Sequence, residues 1–212
     1  MRLKSKFIYA KSEVDISAQP KTDFKVMLVM HGLGDSLEPY QIFTQEVNVT
    51  NLHYLLLNAP MEYFTGLAWF MPDPPNPEEA VQKSTELVLN EINFLIEEGF
   101  KPEDILLCGF SQGGCMAFNV AKAFGKKLGG IAALSPKTYP YMLNSFPEDF
   151  YETPVFMAHG NFDSVIPYEQ TKAFADTHMA DHKNFIWKEY SMDHEIDIDE
   201  IHDLRDWLNE HL

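Results

Sequence analysis

Short apolar runs alternate with longer stretches of helical period along the chain, and this alternation constrains the fold most. The apolar runs cover residues 24–30, 52–60, 104–110, 128–135, 153–160 and 184–190. Patterns typical of helices cover residues 39–47, 78–98, 112–124, 168–178 and 199–211. Strands that alternate with helices of this length predict an α/β fold with a mostly parallel central sheet and helices on both faces.

The chain has the size of one large domain. Its 212 residues contain no internal repeat and no linker, so we expect a single domain over residues 1–212. The proline-dense stretch 71–80 lies between a predicted strand and a predicted helix, and we interpret it as a surface loop. The connections between the predicted strands leave no room for a large cap domain.

The charge of the chain excludes two classes of partner. Acidic residues outnumber basic ones by 32 to 16, and the net charge of -16 argues against nucleic acid and anionic membrane surfaces as partners.

No segment approaches the length of a membrane span, and the first apolar run is too short for a signal-peptide core. Cys108 and Cys115 lie in apolar surroundings, which is typical of buried, reduced thiols. We expect a cytoplasmic protein.

The sequence Gly-Phe-Ser-Gln-Gly, residues 109–113, joins a predicted strand to a predicted helix. A sharp strand-to-helix turn strains the backbone of its central serine, and side chains on either side would collide unless those residues are glycines. This setting is that of a nucleophile elbow, in which the serine hydroxyl is exposed at the end of the strand. We therefore predict that Ser111 is a nucleophile.

A serine nucleophile needs a base, and the base needs an acid to orient it. Asp163 and His194 follow two later predicted strands, and the chain order Ser, Asp, His is that of an α/β-hydrolase. We prefer Asp163 to Asp193, because side chains of sequence neighbours such as Asp193 and His194 usually point apart. We expect His159, inside a strand end, to be structural.

Four further histidines fall on or beside predicted helices, where solvated or capping roles are common. These residues are His178, His182, His202 and His211.

The loop after the first predicted strand, His-Gly-Leu-Gly-Asp at residues 31–35, is expected to help stabilise negative charge on a carbonyl oxygen. In this fold one backbone N–H comes from the residue after the nucleophile and another from this earlier loop. We therefore predict the amides of Leu33 and Gln112 as an oxyanion hole.

These motifs together resemble the phospholipase/carboxylesterase family of α/β-hydrolases, which includes acyl-protein thioesterases and small carboxylesterases. The resemblance runs from about residue 24 to 212 and rests on residues 31–35, Trp69-Phe70, residues 109–114, residues 159–167 and Met192 with His194. It implies hydrolysis of esters or thioesters by Ser111, His194 and Asp163 without a cofactor. The sequence departs from the family pattern at Met71, where an acidic residue is usual, and at Ser135-Pro136, where Leu-Ser-Gly is usual.

The aromatic-rich loop after the second predicted strand is a candidate for the substrate groove. We expect an apolar wall there, formed by Phe64, Leu67, Trp69, Phe70 and Met71. The substrate itself stays open among small esters, acyl thioesters, lysophospholipids and acylated proteins. The oligomeric state also stays open between monomer and homodimer.

Two other functions remain as alternatives. A binding protein without catalysis is disfavoured by the complete set of motifs. A metal site in residues 193–203 is suggested by the spacing of acidic residues, but the glycine of a calcium loop is missing. We interpret Asp197, Asp199 and Glu200 as a helix cap with favourable charges at a helix start, and we predict no metal.

Overall fold

A computed structural model describes residues 2–11, 21–179 and 182–212. Its strands are β1 (Ser5–Ile8), β2 (Lys25–Met30), β3 (Leu52–Leu57), β4 (Met61–Tyr63), β5 (Gly66–Ala68), β6 (Ile105–Phe110), β7 (Gly130–Leu134), β8 (Val155–Gly160) and β9 (Phe185–Tyr190). Its α-helices are α1 (Tyr40–Val47), α2 (Pro77–Glu97), α3 (Gln112–Phe124), α4 (Tyr168–Met179) and α5 (Ile198–His211). The six predicted strands and five predicted helices are all present.

Seven strands form one sheet in the order β1-β3-β2-β6-β7-β8-β9. All neighbouring strands are parallel except β1, which pairs antiparallel with β3 at the edge. The remaining two strands, β4 and β5, form a separate hairpin. Because the parallel strands end at the same edge of the sheet, the loops after β2, β6, β8 and β9 come together there.

Alternate side chains of each strand enter two different cores, one on each face of the sheet. Val26, Leu28 and Met30 of β2 pack with α2 and α3, whereas Met27 and Val29 pack with α1 and α5. Both faces are thus buried, which explains why the strands read as continuous apolar runs rather than as alternating patterns. The prediction of a parallel sheet covered on both faces is confirmed.

The described residues contain no cap domain over the carboxyl edge of the sheet. The connection from β3 to α2 carries only the β4–β5 hairpin, and the connection from β7 to β8 carries two short 3-10 turns, Pro140–Leu143 and Glu148–Glu152. No helix within the described part of the chain is long and apolar enough to cross a membrane.

Candidate active site

Ser111 stands in the turn between β6 and α3, with φ 54° and ψ -112°, a strained conformation for a residue with a side chain. The flanking glycines are required by close backbone approach. A Cβ on Gly109 would lie 2.1 Å from the Gly113 carbonyl oxygen, and a Cβ on Gly113 would lie 2.0 Å from the Met30 carbonyl oxygen. The amide of Ser111 donates to the carbonyl oxygen of Leu134 at 2.9 Å. The turn is therefore fixed by its backbone.

A continuous hydrogen-bonded chain joins the serine, the histidine and the aspartate. His194 Nε2 lies 2.9 Å from Ser111 Oγ, and His194 Nδ1 lies 2.7 Å from Asp163 Oδ2. Because an ionised carboxylate only accepts hydrogen bonds, Nδ1–H donates to Asp163, and Nε2 is left to accept from the serine hydroxyl. The other oxygen, Asp163 Oδ1, accepts from the amides of Val165 and Ile166 at 2.9 and 2.7 Å.

Asp193 contacts the backbone of His194 rather than its imidazole. Its Oδ1 accepts from the His194 amide at 2.8 Å, from the Ser164 amide at 2.7 Å and from Ser164 Oγ at 2.8 Å. The hydrogen bonds from Ser164 lower the pKa of Asp193, so the carboxylate stays ionised. Asp193 therefore ties the loop that carries Asp163 to the loop that carries His194. Sequence reasoning missed this role, since only the folded chain brings Ser164 beside Asp193.

His159 is buried under the Asp163 loop, as expected for a structural residue. Its Nε2 donates to the Ile166 carbonyl oxygen at 3.0 Å and lies 3.4 Å from Asp163 Oδ2. Burial lowers the pKa of His159, which favours the neutral ring.

The expectation of solvated or capping histidines is wrong for His178 and His182. Both are buried, His178 donates to the Met142 carbonyl oxygen at 2.8 Å, and the two rings pack against Phe150. They belong to an aromatic core that helical spacing alone does not reveal.

The two predicted oxyanion donors line one cavity together with Ser111. This cavity has a volume of ≈210 Å³. Gln112 is the first residue of α3, so its amide is among those that have no partner inside the helix. The Leu33 amide has no hydrogen-bond partner within residues 2–11, 21–179 and 182–212. The residues predicted to supply the two amides therefore lie in the lining of the same cavity as Ser111.

The indole of Trp69 braces the loop that carries Leu33. Trp69 is 0% exposed, and its Nε1–H donates to the His31 carbonyl oxygen at 2.9 Å. The Gln112 side chain accepts from the Trp69 amide at 2.8 Å and donates to the Phe70 carbonyl oxygen at 2.7 Å. Trp69 therefore connects the loop that carries Leu33 to the start of α3.

The predicted apolar wall needs correction. Only Phe70 of the five proposed residues lines the cavity at Ser111. Trp69 is buried beneath the site, Phe64 is 91% exposed on the β4–β5 hairpin, and Leu67 and Met71 lie outside the lining. The wall is instead built from both sides of the site by Leu33, Phe70, Pro72, Tyr139, Val165 and Ile166.

A second cavity, of ≈380 Å³, is lined by His194 and shares no lining residue with the cavity at Ser111. Its apolar lining includes Tyr40, Ile42 and Phe43 of the α1 region, and Phe110, whose ring centroid is 4.8 Å from that of His194. Ser111 thus lines the first cavity, and its hydrogen-bonded partner His194 lines the second. A larger cavity, of ≈490 Å³, is formed by the β1 and α1 regions and shares no lining residue with either.

The acidic stretch 193–203 begins α5. Asp197 caps the helix, because its side chain accepts from the Glu200 amide at 2.9 Å. Glu200, expected as a favourable charge at the helix start, is instead fully buried, and burial raises its pKa, which favours the neutral form. Across the described residues, no group of three or more His, Cys, Asp or Glu side chains could hold a metal ion.

Comparisons with known proteins show the family of this chain. The sequence model of the phospholipase/carboxylesterase family matches residues 11–212. Carboxylesterase SOBER1 of Arabidopsis thaliana is 32% identical over 69% of this chain and 72% of its own length. Acyl-protein thioesterase 1 of Kluyveromyces lactis is 30% identical over 92% of this chain and 94% of its own length.

Solved structures show the same fold. The crystal structure of Arabidopsis SOBER1 has a TM-score of 0.78 at 26% identity, covering 88% of this chain and 98% of that chain. A Bacillus cereus carboxylesterase has a TM-score of 0.82 at 16% identity, covering 99% of this chain and 95% of that chain. The chain therefore belongs to the phospholipase/carboxylesterase family of α/β-hydrolases, and it is a hydrolase.

Proposed function

We propose that this protein hydrolyses carboxylic esters or acyl thioesters through an acyl-enzyme formed on Ser111. The observation that carries the proposal is the hydrogen-bonded chain from Ser111 Oγ to His194 and on to Asp163, with distances of 2.9 and 2.7 Å. This geometry supports attack by the serine oxygen on the substrate carbonyl carbon while His194 Nε2 takes the hydroxyl proton. Asp163 stabilises the imidazolium that forms.

The Leu33 and Gln112 amides would receive the negative charge that develops on the carbonyl oxygen. Fixed N–H groups at this position stabilise the transition state more than the ground state, and removal of one such donor elsewhere costs about 10²–10³ in kcat. The buried hydrogen bonds of Trp69 keep the two donor segments together before substrate arrives. The oxyanion hole is therefore preorganised.

Collapse of the tetrahedral intermediate transfers the proton from His194 Nε2 to the leaving oxygen or sulfur. A water molecule then gives its proton to His194, attacks the acyl-enzyme and releases the carboxylic acid and free Ser111. No cofactor takes part. We expect one catalytic domain over residues 1–212, working in the cytoplasm, where the buried thiols of Cys108 and Cys115 stay reduced.

The test compares the wild type with Ser111→Ala across 4-nitrophenyl esters, acyl thioesters and lysophospholipids. We expect Ser111→Ala to lower kcat by about 10³ or more and to abolish labelling by a fluorophosphonate probe, with little change in Tm. Ser5→Ala, an exposed serine on β1, is the matched control. Normal turnover by Ser111→Ala would refute the mechanism, and an unlabelled, inactive wild type would favour the binding-protein alternative.

A further inference from the structure

The cavity at Ser111 contains one cationic side chain, that of Lys137. Only Lys137 and Asp73 among its lining residues carry a formal charge at neutral pH. The Lys137 amide donates to the Ser111 carbonyl oxygen at 3.0 Å, so the backbone of Lys137 is fixed relative to the serine. Lys137 follows Ser135-Pro136, where the sequence departs from the family pattern.

The charge of Lys137 is not neutralised by the protein. Its Nζ lies 5.5 Å from the centre of the Tyr139 ring, and it forms no ion pair or side-chain hydrogen bond with any residue that the structure describes. The residue is only partly exposed. A partly desolvated ammonium group without a carboxylate favours an anionic ligand. In a chain of net charge -16, a cation beside the serine offers a local site for such a ligand.

The two cavities beside the serine differ in charge. The cavity at His194 includes Asp35, Glu46 and Glu195 in its lining and has no Lys or Arg. Because His194 Nε2 must protonate the leaving group, the leaving group lies toward His194. The acyl portion of the substrate would then occupy the cavity at Ser111, which contains Lys137.

We propose that Lys137 binds a carboxylate at the far end of the acyl chain, and that the preferred substrates are half-esters or half-thioesters of dicarboxylic acids. This inference rests on the function proposed above. Phe70, Val165 and Ile166 would contact the methylene groups between the reacting carbonyl and the carboxylate. The ≈210 Å³ volume is below the roughly 300–1,000 Å³ of common ligand pockets, which favours a short acyl chain.

Asp73 is the only carboxylate that lines the same cavity in the described part of the chain. It is exposed, whereas Lys137 is partly buried, so solvent screens Asp73 more effectively. Its repulsion of an anionic acyl chain should therefore be weaker than the attraction by Lys137. This difference gives a second variant for the test.

The experiment compares two substrates of the same length, 4-nitrophenyl hydrogen adipate and 4-nitrophenyl methyl adipate, after subtraction of the rate without enzyme. The measured quantity is the ratio of their kcat/KM values, so that a general loss of turnover cancels. We expect wild type to prefer the anionic ester. Lys137→Met should lower the ratio by about 5- to 10-fold, mainly through KM, and Lys137→Arg should retain most of it.

Lys101→Met is the matched control, because it removes the same charge just before β6, at the opposite end of that strand from Ser111. We expect it to leave the ratio unchanged. Asp73→Asn should raise the ratio, and an increase in NaCl from about 0.05 to 0.5 M should lower it in wild type. These two measurements test the inference even if Lys137→Met does not fold.

The outcomes separate the two proposals. If the wild type hydrolyses the neutral ester and Ser111→Ala does not, the esterase mechanism is supported independently of Lys137. If that turnover is present but wild type and Lys137→Met have the same ratio, the role of Lys137 is wrong and the mechanism stands. If the wild type hydrolyses none of these substrates, that is, the two adipate esters, acyl thioesters and lysophospholipids, both proposals are wrong.

Discussion

Replacement of Trp69 by phenylalanine tests whether this residue supports the oxyanion loop or contacts the acyl chain. The substitution keeps an aromatic ring and removes the Nε1–H group that donates to the His31 carbonyl oxygen at 2.9 Å. Because Trp69 is fully buried, that carbonyl oxygen gains no water in exchange. The segment from His31 to Leu33 then loses one of the hydrogen bonds that hold it, while the bond from the Ala59 amide to His31 Nε2 remains, so we expect a small displacement of the Leu33 amide.

The expected losses of thermal stability and of kcat/KM follow from these contacts. A buried acceptor left without its donor costs about 1–3 kcal/mol, and the smaller ring adds a packing loss below the roughly 3–5 kcal/mol of a full truncation. For a chain of this length each kcal/mol lowers Tm by about 2–4 °C, so we expect a fall of roughly 5–15 °C. The Leu33 amide is displaced but present, so kcat/KM should fall by about 10- to 100-fold, less than for complete loss of a donor.

The assay measures kcat/KM for 4-nitrophenyl acetate and octanoate, well below the Tm of each variant. We expect the two substrates to lose activity by the same factor, since the oxyanion is common to both. Trp207→Phe is the matched control: Trp207 is also buried, and its Nε1 has no hydrogen-bond partner among the residues described. It should lose stability with little loss of kcat. A Trp69→Phe enzyme that is impaired on octanoate alone would refute this reasoning and restore Trp69 to the groove.

Two further predictions concern a buried carboxyl group and the connection between two loops. Burial, with the nearby charge of Asp197, raises the pKa of Glu200 well above its ordinary value. The contribution of the protonated carboxyl group to the free energy of unfolding is therefore fully present below the pKa of the unfolded state. This contribution is lost as the pH rises through the pKa of the folded state. Glu200→Gln should therefore raise Tm relative to wild type near pH 9 and much less near pH 5, and an equal difference at both pH values would contradict the shift. Asp193→Ala should lower kcat about tenfold with little change in KM, because the Asp163 and His194 loops lose their bond through Ser164. Unchanged kcat would show that the loops hold their positions without Asp193.

The strand-to-helix turn at Ser111 was predictable from sequence because its requirements are local. A Cβ added to Gly109 or Gly113 would lie about 2 Å from a backbone carbonyl oxygen, so this geometry requires glycine at both positions. The long apolar runs were predictable for a similar reason, since strands buried on both faces must be apolar throughout.

The sequence does not predict the three short strands β1, β4 and β5, because none of them shows a clear alternation of apolar and polar residues. Strand β1 is only four residues long and lies at the sheet edge, where Lys6 stays in solvent. Strands β4 and β5 have three residues each, too few to show alternation.

The direction of a loop side chain depends on distant parts of the fold. The sequence predicts Trp69 as part of the groove wall, but its indole is buried and donates a hydrogen bond to the His31 carbonyl oxygen, 38 residues away. The charge at Glu200 suits a helix start, and only the packing of α5 on the sheet shows that this residue faces inward. Neither outcome follows from local pattern or composition.

The positive φ of Ser111 has a consequence for the descent of such chains. A backbone held at φ 54° and ψ -112° costs a serine about 1–3 kcal/mol, whereas glycine adopts positive φ without that steric penalty. Selection for stability alone would thus favour glycine in place of the proposed nucleophile, and selection for turnover would keep the hydroxyl there. In a lineage that lost the reaction and kept the fold, this position should be among the first to change.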